Sequence, residues 1–247
     1  MHGLLKLAWV EIKLLTREPL TLMFSFALPL LVLLVLGGIF GNQRIAHGQF
    51  HQVLTMQFYV PGYIGLVVAP IGTISLPVHL ASYREHGVLR RFRASGVPEW
   101  MVLGAQFVVS VGIATIGGLL IYALGALVYG VGPPKHVGPL LLAFIVGVFA
   151  FSAIGVLLAG VLPTARAAQA AGLLLWFTMM FVSGTAGPLD LLPGWLLLIG
   201  KALPLYHLVF ALEGPWNQTG TNAQQLLTAV VVGLVATLLA LRVFRWE

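Results

Sequence analysis

The sequence contains no cysteine, which excludes disulfides, thiolate metal sites and cysteine nucleophiles and leaves the redox compartment open. Charge is nearly as scarce: 8% of residues are charged against 59% hydrophobic, and mean hydropathy is +0.99, where soluble domains carry roughly a quarter charged residues. Such a chain cannot cover itself with polar surface, so it is an integral membrane protein. No loop is long enough for a separate soluble domain, and residues 1–247 read as one domain. Nothing resembles a cleaved signal peptide, because Glu11 and Glu18 interrupt the N-terminal region and no small-residue cleavage site precedes the first apolar run.

Catalytic and nucleotide-binding signatures are also missing. Neither H-E-x-x-H nor G-x-S-x-G occurs, which removes support for zinc-protease and hydrolase chemistry. The stretch GWLLLIGKA from Gly194 has one residue too many between its glycines for a phosphate-binding loop, and Ala202 stands where Ser or Thr is needed. The chain is therefore not expected to bind ATP itself. His79, His136 and His207 are scattered and fit structural roles.

What is present is six charge-free runs, at residues 19–43, 45–83, 100–134, 136–165, 167–189 and 214–241. A helix rising 1.5 Å per residue crosses a bilayer core in roughly 20 apolar residues, so each run can span. The runs are continuously apolar, unlike the alternating strands of a barrel. The fold expected is all-α, with spans at about 20–40, 57–80, 100–129, 138–162, 168–184 and 223–241. Six spans put Lys6, Lys13, Arg17, Arg84, Arg90, Arg91, Arg93, Arg166, Arg242 and Arg245, ten of thirteen basic residues, on one side, leaving Arg44, Lys135 and Lys201 opposite. Basic residues accumulate on the cytoplasmic side, so both termini are expected there, in a plasma or inner membrane. The formal charge of +6 then reports topology and attraction to lipid headgroups rather than nucleic-acid binding.

Between these spans, residues 3–18 carry Lys6, Lys13 and Arg17 on one helical face and suit an interfacial helix. Pro29 is expected to kink the first span. The second carries Pro61, Pro70 and Pro77 with Gly62, Gly65 and Gly72, which suits either close packing of a bent helix or a hinge. Residues 188–213 fall into apolar pieces too short to cross, cut by Asp190, Lys201 and Glu213, and fit two short re-entrant or interfacial helices with Trp195, Tyr206 and Trp216 as headgroup anchors. Asp190 and Glu213 are expected at helix ends. The triplet Asn217-Gln218-Thr219 is a sequon on the outer side.

The loop ASYREHGVLRRFRASGVPEW, residues 81–100, is the main candidate for function. As one helix over 84–94 it groups Val88, Leu89 and Phe92 on a face flanked by Arg90, Arg91 and Arg93, and Gly96 and Pro98 end it. Either it is an interfacial helix with snorkelling arginines, or an apolar knob of Phe92 and Leu89 ringed by arginines docks an acidic partner.

Arg84-Glu85-His86-Gly87 followed by Leu89, Arg91-Phe92-Arg93 and Pro98 resembles the loop between spans two and three of ABC-2 type permeases, which include daunorubicin-resistance-type exporters. Arg17-Glu18-Pro19 at the end of the interfacial helix is similar to that family's elbow, and Ser183-Gly184, Pro188, Leu192-Pro193-Gly194-Trp195 and Leu203-Pro204-Leu205 resemble its outer segment. One departure is Glu213, near where many relatives carry a basic residue. The resemblance implies a half-transporter: two permease subunits, identical or paralogous, each docking a separately encoded ATPase that binds ATP and Mg. Residues 84–94 would be the coupling helix, with Arg84, Glu85, Gly87, Val88, Leu89, Arg90, Arg91, Phe92 and Pro98 at the contact, and Pro61, Pro70 and Pro77 would bend during transport. The absence of charge within the six runs favours a hydrophobic or amphiphilic cargo, and the resemblance favours export. An ATP-independent channel or carrier, or a lipid-modifying membrane enzyme, are the alternatives.

Overall fold

The computed structural model describes residues 23–40, 55–217 and 220–243. Among them all regular structure is helical. A π-helical turn, Met23–Ala27, leads into α1 (Leu28–Phe40); α2 (Thr55–Pro70) passes through a second π turn, Ile71–Ser75, into α3 (Leu76–Glu85); then follow α4 (Val88–Ala94), α5 (Glu99–Tyr129), α6 (Val137–Val161), α7 (Ala165–Val182), α8 (Gly194–Ala202), α9 (Pro204–Trp216) and α10 (Ala223–Val243). Five helices are long and apolar enough to cross a membrane: the continuous α2–α3 rod, α5, α6, α7 and α10. They coincide with the second to sixth expected spans. The first is described from Met23 as a shorter apolar helix, and the interfacial helix over 3–18 lies outside the described residues.

The α2–α3 rod is the axis of the molecule, with 94% of its apolar window buried, whereas α10 buries only 22% and turns its leucines and valines outward. Small residues make this position possible. Gly62 and Gly65 form a notch, one helical turn apart, that admits Val209 and Leu205 of α9, as small residues do wherever membrane helices approach closely. The break in the rod has a local cause as well. Pro77 has no N–H to give the carbonyl of Thr73, four residues back, and the N–H of Leu76 instead reaches Ile71, five residues back, which is the π pattern. Thr73 returns its own hydroxyl to the Ala69 carbonyl at 3.0 Å.

Neighbouring helices close on this break through glycines. A Cβ at Gly172 of α7 would collide with the Thr73 carbonyl, and one at Gly72 with the Phe151 carbonyl of α6. A Cβ at Gly155 would approach the Gly72 carbonyl to 2.5 Å. The π turn therefore sits between two helices whose backbones come so close to it that a side chain at any of these glycines would clash. Pro70 and Pro77 flank the π turn, while Pro61 lies inside regular α-helix.

Near the far end, opposite the arginine-rich turns, α8 and α9 meet at 83°. His207 bridges this corner, its Nε2 2.9 Å from the Lys201 carbonyl and its Nδ1 against Gln225 of α10. The two short helices expected between the last spans are present, but α9 does not stop at Glu213. It continues to Trp216, and both Glu213 and Trp216 are buried, at 3% and 2% exposure. Trp216 stacks edge-on against Tyr122 at 5.5 Å instead of anchoring at a headgroup surface. Trp195 is exposed as expected.

Substituting Ala for Gly172 forces backbone apart and is expected to cost about 1–3 kcal/mol, whereas Gly112→Ala, with open space around it, is expected to be neutral or to stabilise by up to about 1 kcal/mol. Thermal unfolding of the two purified variants in the same detergent checks the contrast.

Candidate functional site

The rod does not run into a single helix over 84–94. It ends at Glu85, and Gly87 adopts φ +65°, a left-handed conformation that glycine takes at little cost. The N–H groups of His86 and Gly87 close back on Ser82 and Arg84 at 3.0 and 3.1 Å, so α3 is capped and α4 starts in a new direction. α4 ends by the same device: Gly96 has φ +72°, Val97 N–H reaches the Phe92 carbonyl at 3.0 Å, and the Ser95 hydroxyl donates to Arg91 at 2.9 Å. Pro98 then directs the chain into α5, whose first turn begins with Glu99, an acid at the positive end of a helix.

This break separates the nine loop residues read as one contact surface. Arg84 and Glu85 remain on the rod and grip the α6–α7 turn. The Arg84 guanidinium donates to the carbonyls of Ala159 at 2.8 Å, Leu162, and Pro163 at 3.2 Å, capping the C-terminus of α6. The Glu85 carboxylate accepts from Ala165 N–H at 3.0 Å, at the N-terminus of α7, where Thr164 also accepts from Ala167. A cation thus closes the negative end of one helix and an anion the positive end of the next. These adjacent side chains tie three spans together at one point.

α4 is pinned to this point by its apolar side. Leu89 is 1% exposed and belongs to the chain's own core, which corrects the expectation of an outward Leu89–Phe92 knob. Val88 and Phe92 are half-buried. The Phe92 ring meets Tyr83 edge-on at 6.2 Å, and Tyr83 meets His79 at 5.5 Å. His79 is buried one turn beyond Ser75, the last residue of the π turn. A continuous ladder of rings therefore links α4 to the turn of the rod next to the π turn. What α4 presents outward is basic: Arg90, Arg91 and Arg93 are exposed, with Arg91 also donating to the His86 carbonyl at 3.1 Å.

At the other end of the rod, Thr185, Val209 and Glu213 converge on the notch at Gly62, with the Glu213 carboxyl about 4.0 Å from where a Cβ would stand. Glu213 Oε2 has no hydrogen-bond partner among the described residues. Sequence reasoning placed this residue at a helix boundary and took the spans to lack buried charge; the fold encloses it between α9 and the rod. Asp190, in the 3-10 turn Leu189–Leu191, is exposed.

The matching family model is the ABC-2 type transporter, over residues 3–214. The chain belongs to that family. A curated relative from Cyanophora paradoxa, named "Putative transport permease ycf38", is 27% identical over 215 residues, covering 83% of this chain and 70% of its own. The protein is thus a multi-pass membrane transport permease, and permeases of this family typically work with ATP-binding subunits. In this permease the two ends of the α6–α7 turn and the ladder from Phe92 to His79 are the parts that motif reading did not reveal.

Truncating Arg84 to Ala leaves three carbonyls at the α6 terminus without their donor and is expected to destabilise the permease by about 1–3 kcal/mol, while Arg93→Ala, at an exposed position, is expected to stay within about 0.5 kcal/mol. Melting temperatures of the purified variants give the comparison.

Proposed function

We propose that this permease is the membrane subunit of an ATP-driven exporter, that it pairs with a second permease subunit, and that a separately encoded ATPase docks on α4. The observation that carries this reading is the two-sided character of α4: Leu89 and Phe92 fasten it to the rod, and Arg90, Arg91 and Arg93 face away. An interfacial helix lying in lipid would turn its apolar side to the bilayer; here that side is spent on the chain itself. Exposed arginines are suited to acidic partner groups, because the planar guanidinium makes paired, charge-assisted hydrogen bonds.

Force applied to α4 has a defined route. It enters the end of the rod through Leu89 and the Phe92–Tyr83–His79 rings, and Arg84 and Glu85 carry it to α6 and α7 at the same level. The π turn between Pro70 and Pro77 is where the rod changes helical pattern, so displacement of α3 is taken up there and passed to α2, which borders α9 at the Gly62 notch. In this reading Pro70 and Pro77 act as hinge residues, and Pro61 shapes the α2–α9 contact. The arginine-rich end and both termini face the cytoplasm, as the positive-inside rule requires. The cargo is hydrophobic or amphiphilic. ATP and Mg reside in the partner ATPase.

Reversing charge at Arg90 and Arg93 together is expected to release the ATPase from the complex with the melting temperature of the permease unchanged. Phe92→Ala is expected to retain the ATPase while lowering transport per ATP hydrolysed. Co-purification and coupled transport assays read both. Equal ATPase recovery with the charge-reversed variant, or transport without nucleotide, would contradict the proposal.

A further inference from the structure

α5 and the α6–α10 pair part towards the arginine-bearing end. α10 lies close on α6, where Gly233 receives the Phe149 ring and the Ala150 backbone, and α5 meets α6 nearer the far end, where Gly118 faces Phe144. Between these contacts and the start of α5 a wedge of about 990 Å³ opens, its walls including Leu103, Phe107, Phe149, Val156 and Leu241. Leu76, the first residue after the π turn, also borders it, and its mouth is formed by Pro98, Glu99 and Trp100.

Its surroundings define the occupant. Three helices long and apolar enough to cross a membrane flank the wedge, so lipid chains are the apolar material at hand to fill it. Apolar walls of this size are not left without contacting atoms, and the volume falls in the range of small-molecule sites. The mouth adds a head-group signature. Trp100 is 65% exposed, as ring systems are at a membrane interface. Glu99 is exposed and makes no ion pair among the described residues. This end is rich in arginine and draws anionic headgroups generally; the one charged residue among those lining the wedge is acidic, Glu99.

We propose that the wedge between α5 and the α6–α10 pair binds one membrane lipid from the leaflet on the arginine-bearing side, its acyl chain along the apolar walls and its amine-bearing headgroup paired with Glu99. Because the mouth is the first turn of α5, joined to α4 through Ser95–Pro98, the bound lipid holds α5 at one spacing from α6 and α10. Any consequence for coupling rests on the function proposed for α4. Occupancy of the wedge does not, and it is read on the permease alone.

The test is native mass spectrometry of the full-length permease, delipidated in mild detergent and then offered phosphatidylethanolamine or phosphatidylglycerol of identical chains. One retained phosphatidylethanolamine is expected, preferred about fivefold over phosphatidylglycerol, the ratio that one headgroup charge interaction supplies. Glu99→Lys, at an exposed position that leaves the fold intact, is expected to invert that preference, and Val156→Phe, which narrows the wedge, to abolish retention of either lipid. An unchanged preference in Glu99→Lys would overturn the proposal even if Val156→Phe failed to fold. Unchanged retention in a folded Val156→Phe permease would also overturn it, as would a wedge occupied by a non-lipid amphiphile that neither lipid displaces.

Discussion

Close backbone approach between the rod at its π turn and its two neighbours is the constraint on which the remaining structure depends. A membrane helix cannot leave carbonyls open to hydrocarbon, and Pro77 leaves the Thr73 carbonyl without its usual donor. The fold answers by pressing that region between α6 and α7, where Gly155 and Gly172 allow approach that any side chain would block. Once α6 and α7 are fixed there, the turn between them must lie at the end of the rod, within reach of Arg84 and Glu85. The position of α4 follows, since Gly87 turns the chain immediately after Glu85 and Leu89 has one apolar recess to fill.

That order gives the permease a lever with a stiff end and a soft middle. At the arginine-bearing end, hydrogen bonds from two adjacent side chains join the rod to both neighbours, so the three spans share any displacement. The middle holds the π turn, a departure from regular hydrogen bonding that is common at functional positions. Beyond it, α2 meets α9 at the Gly62 notch, beside the buried Glu213. In the transport cycle proposed here, mechanical input at α4 would reach the far end through one continuous helical rod.

Much of this was legible in the sequence, and the exceptions share a cause. Charge-free runs located α5, α6, α7 and α10 to within a few residues, because hydrocarbon thickness sets their length. Pro70 and Pro77 marked the break, although their spacing did not reveal a π turn. The face of α4 was misplaced because one helix over 84–94 ignores the rotation that Gly87 introduces, and that rotation turns Leu89 inward. Glu213 and Trp216 looked like boundary residues because a charge or an indole beside an apolar run reads alike at an interface and in a core. Only the Gly62 notch and Tyr122, on other helices, decide between the two. Local pattern therefore fixed what each segment is, and side-chain direction waited on tertiary contacts.

The absence of native cysteine permits the most direct measurement. Spin labels on Ala94→Cys paired with Arg166→Cys, and on Ala94→Cys paired with Gly138→Cys, would report distances in the assembled transporter before and after ATP binding. The account predicts that the first distance stays constant, since α4 and the α6–α7 turn are fastened to the same end of the rod, while the second changes. A first distance that shifts while the second holds still would mean that α4 moves alone, and the lever described here would not exist.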